Sequence, residues 1–256
     1  MPDTFLLGGK TFTSRFLLGT GKFSSKEALH ASILASGAQI VTVAVRRIDL
    51  NRPDDNILAH IPPETVLLAN TSGARTADEA IRLARLARAS GHGTWVKVEV
   101  INDSKYLLPD NEGTVAATKI LAAEGFTVLP YISPDLYAAR RLVAAGAAAV
   151  MPLGSFIGSN QGLRTREFIK VLIDEIDIPV IVDAGIGAPS HACEAMELGA
   201  DAVLVNTAVA IANDPPLIAR AFALAINAGR TAYLSGLPQQ RATGEASSPL
   251  TGFLFE

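Results

Sequence analysis

Short runs of β-branched and other apolar residues alternate with amphipathic segments through most of this 256-residue chain, and the alternation repeats eight times. The strand-like runs recur roughly every 20 to 30 residues, a spacing suited to one β-loop-α-loop unit. The predicted strands cover residues 15–20, 40–46, 65–70, 95–101, 127–132, 148–153, 179–183 and 202–206. Helical periodicity, weak only around residues 56–61, predicts helices over residues 25–36, 76–90, 114–124, 134–145, 165–176, 190–198 and 216–228.

Eight consecutive β/α units predict an α/β fold of the (β/α)8, or TIM-barrel, class. The predicted strands are mostly apolar on both faces, as strands of a parallel sheet covered by helices are. A doubly wound open sheet is the alternative, although that architecture usually has about five or six strands. Glycines that follow the helical runs are typical of C-terminal caps; they are Gly37, Gly91, Gly125, Gly146, Gly199 and Gly229.

The repeat leaves a short segment at each end of the chain. Residues 1–14 are expected to form a hairpin that turns at Gly8-Gly9 and closes the bottom of the barrel. Beyond Gly229, residues 230–256 are rich in Gly, Ser, Pro and Gln, which predicts an irregular tail. We therefore expect one domain over residues 1–256.

Composition and charge exclude several classes of function. The net charge of −3 and the absence of a basic stripe argue against nucleic-acid binding. The long uncharged stretches contain glycines and polar residues, and no signal peptide precedes the first unit, so we expect a cytoplasmic protein rather than a membrane protein. One cysteine, Cys193, and four unpaired histidines predict neither a disulfide nor a metal site. The excess of hydrophobic residues (49%) over charged ones (18%) indicates that other subunits or a partner cover part of the surface.

The fourth predicted strand carries two charged residues on one face. Because alternate residues of a strand share a face, Lys97 and Glu99 point into the barrel if Val96, Val98 and Val100 face the helices. A buried lysine can form an imine with a ketone or aldehyde. Glu99 favours the ammonium form instead, and a purely structural ion pair is the alternative.

Glycine and small polar residues follow the sixth, seventh and eighth predicted strands, within residues 154–162, residues 183–187 and Asn206-Thr207. Loops at these positions of a TIM barrel often hold a phosphate through backbone N–H groups. Asp183 ends an otherwise apolar strand, where it can act as a general acid or base or simply cap the turn. Together these residues predict imine chemistry on a phosphorylated ketone.

Ordered motifs along most of the chain resemble the bacterial thiamin thiazole synthase family. They are FLLGTGKF (16–23), VRR (45–47), KVEV (97–100), LLPD (107–110), EGFTVLPY (124–131), VMPLGS (150–155), DAGIG (183–187), LVNTA (204–208) and ASSPL (246–250). The chain departs from the usual family pattern at Phe156, where proline is usual, and at Asn160, where glycine is usual. Ala74 and Ala147 stand at positions where the family often has cysteine.

The resemblance implies a homotetrameric TIM-barrel enzyme that needs no metal, flavin or pyridoxal cofactor. It would condense 1-deoxy-D-xylulose 5-phosphate with dehydroglycine and with sulfur from the C-terminal thiocarboxylate of a small ubiquitin-like carrier protein. Lys97 matches the imine-forming lysine, and Glu99 and Asp183 match the acid/base candidates. The matches to the sugar-phosphate contacts are Gly158, Ala184, Gly185, Asn206 and Thr207.

Two other functions remain compatible with the fourth strand alone. One is a lysine-imine aldolase that cleaves a sugar phosphate without any carrier protein. The other is a non-catalytic phosphate-binding barrel that serves as an assembly subunit. The motif matches along the chain favour the synthase over both.

Overall fold

The computed structural model describes residues 3–47 and 57–248, and it confirms the predicted barrel. Eight parallel strands lie side by side around a central axis in the order β8-β7-β6-β5-β4-β3-β10-β9. These are β3 (Phe16–Gly19), β4 (Ile40–Ala44), β5 (Val66–Asn70), β6 (Trp95–Val98), β7 (Thr127–Ile132), β8 (Met151–Pro152), β9 (Ile181–Val182) and β10 (Ala202–Val205). Isolated bridges from Val150 to Val180 and from Leu153 to Asp183 join the two ends, so the barrel is nearly closed.

Helices follow the strands and cover the outside of the barrel. They are α1 (Lys26–Ser36), α2 (Ala77–Ala89), α3 (Asn111–Ala123), α4 (Leu136–Ala144), α5 (Arg166–Glu175), α6 (Pro189–Leu198), α7 (Thr207–Ala210) and α8 (Pro215–Ser235). In the described part of the connection between β4 and β5 there are only short 3-10 turns, Val45–Arg47 and Ile57–His60, in agreement with the weak pattern there. Within residues 3–47 and 57–248, no helix is long and apolar enough to cross a membrane.

An N-terminal hairpin closes the bottom of the barrel, as predicted. Its strands, β1 (Phe5–Leu7) and β2 (Lys10–Phe12), pair antiparallel. Phe12 meets Trp95 edge-on, with ring centroids 5.9 Å apart. The hairpin thereby joins the apolar cluster inside the barrel, whose buried members include Leu17, Leu129 and Ile181.

The prediction for Gly229 and for the start of the tail was wrong. Gly229 is not a helix cap: α8 continues through it to Ser235, and residues 230–235 are therefore helical. A Cβ at Gly229 would lie only 2.4 Å from the carbonyl oxygen of Cys193, so the glycine lets α8 approach α6 closely. Irregular structure begins at Gly236 and extends to residue 248, while the rest of the predicted tail, residues 249–256, lies outside the described residues.

Candidate active site

A cavity of about 600 Å³ opens at the carboxyl ends of the barrel strands. This is the end where TIM-barrel enzymes carry their active sites. The structure brings all eight sequence-predicted site residues together in the lining of this cavity: Lys97, Glu99, Gly158, Asp183, Ala184, Gly185, Asn206 and Thr207.

Lys97 and Glu99 point into the barrel from the end of β6. Their neighbours Val96, Val98 and Val100 face outward and pack in the apolar cluster beneath α2 and α3. The Nζ atom of Lys97 lies 3.1 Å from Oε1 of Glu99 and also contacts the carboxylate of Asp183, which follows β9. All three residues are buried, with exposed fractions of 4%, 5% and 3% in chain order.

The three charges shift one another's protonation. Burial lowers the pKa of the Lys97 ammonium, but the negative charges of Asp183 and Glu99 outweigh burial, and the net pKa lies above the ordinary lysine value. Burial raises the pKa of the Asp183 carboxyl, and Glu99 adds to this, while Lys97 opposes it. The resting site therefore holds an ammonium beside a carboxyl group that accepts a proton more readily than an exposed aspartate does.

Each carboxylate is fixed by a second contact. Asp183 Oδ1 accepts a hydrogen bond of 2.6 Å from the Ala184 backbone N–H, so this residue both holds its turn and contacts Lys97. Glu99 Oε1 accepts a hydrogen bond of 2.9 Å from Asn70 Nδ2, and the Glu99 backbone is held by the Thr71 hydroxyl. The carboxyl groups are thus oriented before any substrate is bound.

Tyr131 is a site residue that the sequence reasoning missed. Its ring is fully buried inside the barrel, 5.3 Å from Lys97 Nζ, a distance typical of a cation–π contact. Burial raises the pKa of its hydroxyl, which has no hydrogen-bond partner within the described residues. The alternation along β7 that places Leu129 inside the barrel was the signal that would have found Tyr131.

Small residues shape the side of the cavity opposite β5. Ala184 and Gly185 have φ of +58° and +74°, and a Cβ at Gly185 would lie 1.8 Å from Ser155 Oγ. Only glycine fits there, because both the backbone conformation and the space exclude a side chain. Asn160 adopts φ of +57°, so the residue found instead of the usual glycine keeps a left-handed conformation. Phe156, next to the lining residue Ile157, is partly exposed, and its ring centroid lies 5.4 Å from that of Tyr106.

Lys22 adds a positive charge to this side of the cavity. A Cβ built on Gly158 would lie 3.2 Å from Lys22 Nζ and 3.7 Å from Thr207 Oγ1. The Lys22 ammonium and the Thr207 hydroxyl therefore both lie close to the Gly158 backbone, which has no side chain in the way. Lys22 forms no ion pair within residues 3–47 and 57–248. The sequence analysis named Lys22 only within the motif FLLGTGKF and did not predict it as a site residue. A position after the first strand does not by itself reveal where a long side chain points.

The fold and this cavity define an α/β-barrel enzyme with a buried lysine between two carboxylates at the mouth. The sequence model described as "Thiazole biosynthesis protein ThiG" matches residues 6–249 of the chain. The chain therefore belongs to the ThiG family of thiazole synthases, the sulfur-transferring enzymes of thiamin biosynthesis.

Individual relatives agree with this assignment over almost the whole chain. The thiazole synthase of Pelotomaculum thermopropionicum is 63% identical over 254 residues, which are 99% of each protein. That of Moorella thermoacetica is 62% identical over 254 residues, covering 99% of this chain and 100% of the relative. Among solved structures, a chain of the Amycolatopsis orientalis BexX/CysO complex superposes with a TM-score of 0.83 at 37% identity, over 93% of this chain and 98% of that one.

Proposed function

We propose that this thiazole synthase joins 1-deoxy-D-xylulose 5-phosphate, dehydroglycine (2-iminoacetate) and sulfur from a thiocarboxylated carrier protein through an imine on Lys97. The observation that carries the proposal is the buried lysine held between Glu99 and Asp183 at the barrel mouth. The lysine supplies a nucleophile for a ketone, and the carboxylates supply the proton transfers that imine chemistry requires.

The first step is the conversion of the ammonium into a free amine. Lys97 transfers a proton to a neighbouring carboxylate, and Asp183 is suited to accept it because burial raises its pKa. The neutral amine then adds to the C2 ketone, and the carbonyl oxygen leaves as water once two protons have reached it. The product is a C2 imine, and the adjacent Tyr131 ring stabilises its cationic form.

The imine makes the proton on C3 acidic. Glu99 or Asp183 removes that proton, which gives an aminoenol. Protonation of C2 and loss of the C3 hydroxyl proton then leave a carbonyl at C3 and an amine bond between C2 and Lys97. The sulfur of the carrier thiocarboxylate then adds to the C3 carbonyl, the carrier's acyl group moves from sulfur to the C3 oxygen, and the carrier leaves as a carboxylate that contains that oxygen, so C3 becomes a thioketone. The carboxylates carry protons between atoms of the substrate and are regenerated, while Lys97 stays bonded to C2 until the nitrogen of dehydroglycine replaces it there and the lysine is released.

The phosphate of the sugar is bound on the side formed by Gly158, Ala184, Gly185, Asn206 and Thr207. Glycines and alanine allow the close approach of a phosphate to the backbone. The Lys22 ammonium beside Gly158 neutralises part of the phosphate charge. This charge balance matters because Glu99 and Asp183 make the centre of the cavity acidic.

The sulfur donor is a small ubiquitin-like protein whose C-terminal tail enters the mouth of the barrel. A similar chain was solved as part of the BexX/CysO complex, which supports a protein partner of this kind. We also propose a cytoplasmic homotetramer without a cofactor. Large apolar side chains are exposed on α8, and this supports a surface that is covered by other subunits. They include Leu217, Leu224 and Leu234.

Borohydride trapping tests this function. With the sugar phosphate present, reduction is expected to leave a mass adduct on the Lys97 peptide, and Lys97→Ala is expected to remove both the adduct and turnover. Lys119→Ala, which removes an exposed lysine of α3, is the matched control. An adduct elsewhere, or unchanged turnover in Lys97→Ala, contradicts the proposal. Cleavage of the sugar phosphate without a sulfur donor would identify an aldolase instead.

A further inference from the structure

A second lobe of the cavity lies over the carboxyl ends of β3, β4 and β5 and reaches the phosphate side at Lys22 and Asn206. It has a volume of about 410 Å³ and shares several lining residues with the main cavity. Its described lining contains two cations, Lys22 and Arg46, and no acidic residue. Asn70, Ser72 and Asn206 also line the lobe.

The guanidinium of Arg46 occupies space that the missing side chain of Gly73 leaves in the loop after β5. The guanidinium lies directly over Gly73, since a Cβ at Gly73 would be 2.3 Å from Arg46 Cζ and 2.4 Å from one of its terminal nitrogens. No ion pair to Arg46 occurs in the described parts of the chain. The planar group therefore rests on a peptide surface with its donors available to a ligand.

The lobe adjoins the main cavity, which contains the lysine, at shared lining residues. Asn70 lines both cavities and donates a hydrogen bond to Glu99, the residue that contacts Lys97. The Oδ1 atom of Asn70 accepts a hydrogen bond of 2.8 Å from the Ser72 backbone N–H, which fixes the loop that carries Gly73. A small molecule in the lobe would thus be one residue, Asn70, away from the Glu99 carboxylate that contacts Lys97.

We propose that this lobe is the binding site for the second substrate, and that Arg46 holds the carboxylate of 2-iminoacetate there. The inference rests on the proposed function, which requires a small imino acid next to the sugar on Lys97. A guanidinium can bind a carboxylate through two parallel hydrogen bonds, and this orients the imine carbon as well as binding the charge. Glu99 and Asp183 would repel the same carboxylate, so it needs a cationic site of its own.

The arrangement of the strands separates this site from the phosphate site. The phosphate loops follow β8, β9 and β10, whereas Arg46 follows β4, two strands beyond β10 in the barrel. Lys22, between them, lies next to Gly158 and is assigned to the phosphate. Of the two cations that line the lobe, Arg46 is therefore the one left for a second anion.

Steady-state kinetics of Arg46→Gln tests the inference. 2-Iminoacetate is supplied by condensing glyoxylate with ammonia, and sulfur by the thiocarboxylated carrier protein. We expect the KM for the imino acid to rise at least about 10-fold, with a change below about 2-fold in the KM for the sugar phosphate and for the carrier. Borohydride trapping of the sugar on Lys97 should be unchanged.

Two further variants separate charge from geometry. Arg46→Lys keeps the charge without the planar fork and should restore the KM only in part. Gly73→Ala displaces the guanidinium and should raise the same KM with Arg46 still present. The control is Arg82→Gln, which removes an exposed arginine of α2 that lines neither the main cavity nor the lobe.

Each other outcome is decisive. An unchanged KM for the imino acid in Arg46→Gln overturns the inference, and so does a rise confined to the KM for the sugar phosphate or the carrier. If the wild-type enzyme itself gives no Lys97 adduct, the proposed function fails. Trapping in the wild-type enzyme is therefore measured first, so that failure of the proposed function is distinguished from failure of the inference about Arg46.

Discussion

The Nζ atom of Lys97 lies 3.1 Å from Oε1 of Glu99, two residues further along the chain, and both side chains are buried inside the barrel. This pair, joined by Asp183, keeps the lysine protonated in the resting enzyme. A protonated amine cannot attack a ketone, so the two carboxylates must both suppress and enable the reaction. The pH dependence of imine formation separates these two effects.

Asp183→Asn should move imine formation to lower pH. In the wild-type enzyme the free amine increases as pH rises through the Lys97 pKa, which lies above the ordinary value because of the two carboxylates. Removing one negative charge lowers that pKa. The pH at which half of the enzyme carries the imine, measured by trapping with borohydride, should therefore fall. Turnover should nevertheless fall by about 10²- to 10⁴-fold, because a proton carrier is lost.

The matched control for that experiment is Glu112→Gln, which removes an exposed carboxylate of α3. Glu99→Gln should shift the trapping midpoint in the same direction as Asp183→Asn. Exchange of the C3 proton with deuterated solvent then shows which of the two removes it. A midpoint that stays in place or rises in Asp183→Asn would contradict the electrostatic account.

Lys22→Met should weaken binding of the sugar phosphate selectively. The ammonium beside Gly158 acts on the phosphate and not on the sugar carbons, so the KM for 1-deoxy-D-xylulose 5-phosphate should rise about 10-fold or more. We expect the unphosphorylated sugar to react more weakly, and that reaction should be unaffected by the substitution. Lys119→Met is the control, and an equal loss for both sugars would assign Lys22 a structural role instead.

Gly185→Ala should abolish phosphate binding because the new Cβ would meet Ser155 Oγ. Part of any effect comes from backbone strain, since φ is +74° at this position. Gly91→Ala separates the two causes, because Gly91 has a similar φ of +80° and open space around it. Isothermal titration with the sugar phosphate should show lost binding in Gly185→Ala and wild-type affinity in Gly91→Ala.

Periodicity in the sequence was enough to predict the barrel and the inward direction of Lys97. Both depend on local alternation, which the strands preserve. The helix cap predicted at Gly229 was wrong because α8 continues to Ser235. A glycine that allows two helices to pack closely follows an apolar helical run just as a glycine that ends a helix does. Side chains such as Lys22 and Arg46 follow strands, and only the packing of neighbouring loops determines where these long residues reach.

Asp3→Asn should lower the free energy of unfolding by about 1 kcal/mol at pH 7, after allowance for solvent screening. Its hydrogen bonds to the buried Arg15, together with Arg230, hold the pKa of Asp3 at about 2, below the ordinary value of 3.8. Because the folded-state pKa is the lower one, the stabilisation is present above pH 3.8 and is lost as pH falls through 2. Urea unfolding at several pH values should therefore show the free energies of unfolding of the two proteins converging between pH 3.8 and 2.

The control for this prediction is Asp174→Asn, which breaks an exposed pair with Lys170 and should have little effect at any pH. A difference between Asp3→Asn and the wild type that stays constant down to pH 2 would mean that the contact acts through packing rather than charge.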